Sequence, residues 1–180
     1  MKAHNIDYII YWVDSKTIVY SYNMPVTQEY DAIGERDFTL DDIYRLTLWK
    51  VDRYPYIQNS DTNILQMLNA VKGDQVLDKI KTQELLQALL HIRGIRLPMA
   101  STYLRFRNPH IYQIIDKRVC RYLYNDINLL NKIATKSIDK QIELYLTYLT
   151  DIREKARELQ IAFEEADRVL YQLDKDNHTL

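Results

Sequence analysis

The sequence predicts an all-α fold. Apolar residues recur at helical spacing in several separate stretches. Most of those stretches open on a Thr, Asp or Pro of the kind that starts a helix, and only three glycines (Gly34, Gly73, Gly94) occur in 180 residues. Hydrophobic residues make up 47%, enough for an ordinary core, and the length suits one domain or two closely packed halves.

The first 25 residues are the ambiguous part. YIIYWV and TIVYSY are rich in β-branched and aromatic residues and suit two short strands. A buried helix followed by an extended arm suits them equally, and the helical character of the rest favours it. Thr39, with Asp42 three residues on, opens a helix through TLDDIYRLTLWKVDR, because such a cap satisfies N–H groups left free at a helix start. Leu40, Ile43, Leu46 and Trp49 repeat at helical spacing, and Pro55 ends the run.

Asp61 or Thr62 starts the next helix, ILQMLNAV, which Gly73 closes. Thr82 caps TQELLQALLHI, whose Leu85, Leu86, Leu89 and Leu90 form a buried stripe. Pro98 falls in the first turn of another helix, where its missing N–H costs nothing, and Asn108-Pro109 ends that helix. Asp116 is the N-cap of a helix through VCRYLY. A loop with a short helical piece follows over 125–138. A long amphipathic helix over about 139–160 places Ile142, Tyr145, Leu146, Leu149, Ile152 and Leu159 on one side. The last helix, about 163–174, opens on Glu164, Glu165 and Asp167, which suit its dipole.

Composition excludes several functions. The single cysteine, Cys120, leaves no disulfide framework and no four-cysteine cluster, and it fits a reducing, cytoplasmic compartment. The three scattered glycines exclude a phosphate-cradling loop of the nucleotide-binding kind. No segment approaches 18 apolar residues, and the N-terminus lacks the pattern of a secretion signal. His91 and His110 read as surface groups with no second ligand at metal spacing. No metal, cofactor or membrane partner is expected. Any one of the 15 tyrosines reads first as core or half-buried.

Net charge is −1, but its distribution is uneven. Residues 91–121 hold seven basic residues (Arg93, Arg96, Arg105, Arg107, Lys117, Arg118, Arg121) and one acid, Asp116. A basic footprint on one motif is what phosphate binding needs. Within it, Gly94 lies between a leucine-rich helix and a Pro-initiated one. Glycine there permits a very short turn and close approach of another backbone, and the amides that follow point out at a helix N-terminus, a natural phosphate site. Asp116 follows Gly94 by 22 residues. Besides capping its helix, its carboxylate can stabilise positive charge on a sugar as a glycosidic bond breaks. Lys117 and Arg118 would favour its ionised form if they approach it.

The hairpin IRGIRLPMAS and the context Ile115-Asp116-Lys117-Arg118-Val119 resemble the helix-hairpin-helix DNA glycosylase superfamily, HhH-GPD. The family pattern is L-P-G-[VI]-G with small residues after it, here Ala100 and Ser101, then an aspartate in V-D-x-[HR]-V. Trp49-Lys50 and the terminal segment Asp167-Arg168-Val169-Leu170-Tyr171 make the chain most similar to small, largely uncharacterised prokaryotic members. The strong likeness covers about 85–122 and a weaker one about 39–175.

The resemblance implies two helical subdomains with a cleft, in a single 1–180 domain. The helix-hairpin-helix would cover about 82–107 and the aspartate segment 114–124. A damaged or modified base would be flipped from duplex DNA into the cleft. Asp116 would be catalytic. Arg93, Gly94, Ile95, Arg96, Leu97, Lys117 and Arg118 would hold DNA, with Trp49 and Lys50 in the cleft. Arg96 replaces the second hairpin glycine. Pro98 falls where bifunctional relatives carry a Schiff-base lysine, which implies a monofunctional, hydrolytic enzyme. The cysteines of an iron–sulfur cluster are missing. Two alternatives stand beside it: a non-catalytic DNA-binding module of this fold, and a helical protein-interaction domain.

Overall fold

The structure, a computed structural model, describes residues 2–4, 8–13, 16–21, 24–51 and 63–178. It is predominantly helical. The N-terminus is not the helix and arm favoured above but a three-stranded antiparallel sheet, β1 (Lys2–His4), β2 (Ile9–Val13) and β3 (Lys16–Tyr20), in that order. Ile9 pairs with Tyr20, Tyr11 with Ile18 and Val13 with Lys16. Strict alternation decides the matter. Ile9, Tyr11, Val13, Ile18 and Tyr20 are buried together with Val169, while Trp12 and Val19 face out. A period of two puts one apolar face on the protein, whereas a helix would scatter the same residues around its circumference.

The helices follow: α1 (Met24–Asp31), α2 (Leu40–Val51), α3 (Asn63–Ala70), α4 (Lys79–His91), α5 (Leu97–Arg107), α6 (Lys117–Tyr124), α7 (Leu129–Ile133), α8 (Ile138–Glu158) and α9 (Ala166–Asn177). Short 3-10 turns follow α1 and precede α9. Pro55, Asp61 and Thr62, expected at helix ends, lie outside the described residues.

Two caps illustrate the local logic. At α2, Thr39 N–H donates to Asp42 Oδ2 at 2.7 Å, and Asp42 N–H donates back to Thr39 Oγ1 at 3.3 Å, the reciprocal arrangement the sequence predicts. Arg36 adds a bidentate pair to the same carboxylate at 2.6 and 2.7 Å. At α4 the cap is Asp78, which accepts from Lys81 N–H, and not Thr82. Thr82 is buried one turn inside, where its hydroxyl meets that of Tyr112 at 2.9 Å. A buried hydroxyl must find a partner, and this one serves the core.

One continuous apolar cluster runs from α1 through α9, so the helical halves share a core. Leu85, Leu86 and Leu89 of α4 and Ile142, Tyr145, Leu149 and Ile152 of α8 lie in it as their spacing predicts. The smaller cluster under the sheet meets α9, which is therefore covered on two sides. No helix among the described residues is long and apolar enough to cross a membrane.

The Asp42 carboxyl titrates at about 2. Burial works to raise it, but the bonds from Arg36 and Thr39 prevail. A depressed carboxyl contributes stability above its unfolded value, near pH 4, that is lost as pH falls through about 2. Asp42→Asn should therefore destabilise the fold by about 1 kcal/mol at pH 7, roughly 2–4 °C in Tm. In thermal melts the gap between variant and wild type should close as pH falls from 4 toward 2.

Candidate functional site

Asp116 caps α6, and its Oδ1 accepts from Arg118 N–H at 2.8 Å and Val119 N–H at 2.9 Å. Its Oδ2 has no hydrogen-bond partner among the described residues. The carboxylate is held from the other side as well, through the extended segment 113–115. Ile114 N–H donates to Asp167 Oδ2 at 2.8 Å, and Ile115 N–H to Ser101 Oγ at 3.2 Å. The Tyr145 hydroxyl donates to Gln113 O at 2.9 Å, and that of Tyr148 to Ile114 O at 2.5 Å. Side chains of α5, α8 and α9 thus converge on the three residues that lead into Asp116.

Asp116 opens onto a cleft of about 130 Å³. A cavity of about 150 Å³ takes up benzene, so this one holds roughly a single ring. Trp49 and Lys50 line it from α2, Phe106 from α5, Tyr20 from β3, and Asp167, Arg168 and Tyr171 from α9. The Trp49 ring stands edge-on to Phe106, centroids 5.4 Å apart, and Lys50 Nζ lies 5.9 Å from the Trp49 ring centre. Residues singled out from separate stretches, Asp116 and the Trp49-Lys50 pair, therefore share one cavity. Cys120 takes no part: it is buried, and desolvation, with Asp116 and Asp126 nearby, pushes its thiol up to about 12.

Behind the cleft lies an ionic network. Asp31 Oδ1 accepts from Arg105 at 2.8 Å and from Arg168 at 2.7 Å. Burial opposes the Asp31 charge, but the two guanidiniums hold its carboxyl below the usual range. Arg168 also reaches Glu165 Oε2 at 3.4 Å, and Glu165 accepts the Tyr11 hydroxyl at 2.5 Å. Helix-dipole compensation is thus an incomplete account of Glu165 and Asp167. Glu165 anchors the sheet. Asp167 is 3% exposed, and burial pushes its carboxyl up against the pull of Arg105 and Arg168. Neither position carries a distinctive local signal, because the burial comes from α9 being covered on two sides.

The basic footprint is smaller than the sequence suggests. Arg118 does not approach the Asp116 carboxylate with its side chain: it is buried and pairs with Asp174 at 3.4 Å. Arg121 bonds the same Asp174 at 2.6 and 2.8 Å. Arg105 is in the network above, and Arg107, 1% exposed, donates to Arg36 O at 2.7 Å. Arg93, Arg96 and Lys117 are exposed and have no ion pair among the described residues.

The turn joining α4 to α5 is as short as expected. Gly94 adopts φ 96°, the left-handed region that favours glycine, and Ile95 N–H donates to Ile92 O at 3.1 Å. Ile95 and Leu97 bury their side chains, so only their backbone is available to a ligand. Arg96 is the N-cap of α5 and makes no side-chain cap bond, which leaves its guanidinium outside. Pro98 sits in the first turn. His91 and His110 are surface groups, bonded to Gln87 O and Glu164 respectively.

Comparisons with known family models, with curated proteins and with solved structures find no match.

The convergence on residues 113–115 is testable. Tyr148→Phe removes the donor to Ile114 O and should cost about 1–3 kcal/mol in chemical denaturation, the penalty for stranding a buried acceptor. It should also speed amide exchange at Ile115 without disturbing the α2 cap.

Proposed function

We propose that this chain is a monofunctional DNA glycosylase-like protein of the helix-hairpin-helix kind, hydrolysing the N-glycosidic bond of a damaged or modified base flipped into the cleft. The observation that carries the reading is that Asp116, Trp49 and Lys50 line one cavity with room for about one ring. A carboxylate fixed by two amide bonds can stabilise the cation that builds at the sugar and guide water to it. Trp49, Phe106 and Tyr20 offer aromatic faces for a base. Ile115 N–H bonds Ser101 in the second turn of α5, so the α4–α5 turn and Asp116 keep a fixed separation. Arg93, Arg96, Lys117 and the amides of Gly94, Arg96 and Leu97 serve the phosphates.

Mass spectrometry of bases released from damaged and modified DNA tests this. Wild type should release a base and Asp116→Asn should not. Asparagine caps a helix as well as aspartate, so the variant should keep its fold and isolate the chemistry. Borohydride should trap no covalent protein–DNA adduct. An adduct formed through Lys50 would replace hydrolysis by a lyase route.

Three outward cations set the expected footprint. The slope of log binding constant against log salt should be roughly −3, and Arg96→Ala should bring it about one unit nearer zero on every DNA sequence. The shortage of free cations is also what favours the alternative of a helical protein-interaction domain, for which binding to DNA would be absent even at low salt. Salt-dependent binding with no base release from any DNA would leave the non-catalytic module.

A further inference from the structure

Two carboxyl groups line the cleft, and their surroundings differ. Asp116 is half-buried at a helix N-terminus. Asp167 lies deep: its Oδ2 accepts from Ile114 N–H, while Oδ1 is buried with no partner among the described residues. We propose, resting on the glycosylase reading, that Asp167 is the acid of this cleft, carrying a proton that Oδ1 passes to the departing base.

Charge balance is the first argument. Arg105 and Arg168 are the guanidiniums beside Asp167, and Asp31 and Glu165 already match them. Asp167 is a third carboxyl against two cations. The nearest, Arg105 Nε, stays 3.8 Å from Oδ2. Lys50 is the other cation of the cleft, on the α2 wall beside Trp49, with Asp116 on the α6 side. The titratable groups around it also include the hydroxyls of Tyr20, Tyr145 and Tyr148, all shifted upward, first by burial, and neutral at physiological pH, and Tyr171 on the same α9 wall of the cleft. Ionising Asp167 would leave an unmatched buried negative charge, which is expensive. Desolvation raises its carboxyl accordingly. A buried polar atom with no partner, in a residue that lines a ring-sized cleft, is also what a ligand atom would satisfy once it enters.

The step balances. The C1′–N bond breaks with its electron pair going to the base, and the Asp167 proton moves to a base nitrogen or exocyclic oxygen, so the base leaves neutral. The sugar cation beside Asp116 takes the oxygen of one water. That water's proton passes by way of Asp116 to solvent, from which Asp167 is reprotonated. One water is consumed per bond.

The test compares a neutral base with N7-methylguanine, which already carries a positive charge and needs no acid. Asp167→Asn keeps an acceptor for Ile114 N–H. In single-turnover assays it should lower release of the neutral base on the order of 10²–10⁴-fold, and release of N7-methylguanine by less than about tenfold. The wild-type rate should fall as pH rises through the Asp167 titration, and the variant should lack that limb. Equal losses on both bases, or an unchanged profile, would overturn the assignment. A carbon-13 carboxyl titration needs no substrate: the signal missing in Asp167→Asn should titrate above the ordinary aspartate range, and one at or below it also ends the proposal. A wild-type protein that releases no base from any DNA, with Asp167 titrating high, marks a different failure. It removes the glycosidic reading itself, and the acid role with it.

Discussion

The structure turns on how residues 113–115 satisfy their backbone. The segment is extended and deep in the protein, with neither helix nor strand to pair with. Buried amides and carbonyls must nonetheless find partners. Four side chains supply them: Asp167 and Ser101 accept from Ile114 and Ile115, while Tyr145 and Tyr148 donate to Gln113 and Ile114. Each comes from a helix that the shared core holds in place. The position of Asp116 is therefore a consequence of the whole helical assembly, and α6 begins where it does because the chain arrives there already fixed.

The same requirement accounts for much of the tyrosine content. A tyrosine reaches farther than a serine and brings an apolar ring to the core. Tyr112 meets Thr82, Tyr103 meets Thr47, and Tyr11 crosses from the sheet to Glu165. Burial, tempered by the threonine bonds, pushes the hydroxyls of Tyr103 and Tyr112 up to about 12, so they remain neutral donors. A core laced in this way fixes one arrangement, because a shifted helix would strand a hydroxyl as well as open a void.

What the sequence reveals divides along physical lines. Helix spans and most caps are local, and periodicity with Thr39–Asp42, Pro98 or Asp116 identifies them. The N-terminal strands are local too. Their β-branched and aromatic content is legible, but IIYWV is apolar throughout, so the alternation shows only in which side chains are buried. Thr82 and Asp78 show the limit of cap reading, since both residues suit an N-cap and only the Tyr112 contact tells them apart. The arginines show a larger limit. Arg105, Arg107, Arg118 and Arg121 look the same as Arg93 and Arg96 in a charge count. Yet the carboxylate partners of Arg105, Arg118 and Arg121, Asp31 and Asp174, lie over 50 residues away, and Arg107 donates to the distant Arg36 carbonyl. Charge clustered along the chain is not charge clustered on the surface.

Asp167 combines these themes. Its neighbours in sequence are acidic, as suits any helix start, and only packing makes it exceptional. Because α9 lies between the sheet and the rest of the helices, residues 165–170 are all buried, charged ones included. Glu165 and Arg168 are drawn into the Asp31 network, which leaves Asp167 as the carboxyl without a cation of its own. One of its oxygens steadies the segment before Asp116 and the other is buried with no partner among the described residues. The bond that positions one carboxylate thereby ties down the second. The burial that raises the Asp167 carboxyl is what would let it hold a proton in the proposed role. The sheet contributes by covering α9 and keeping water from the deeper of the two carboxyls.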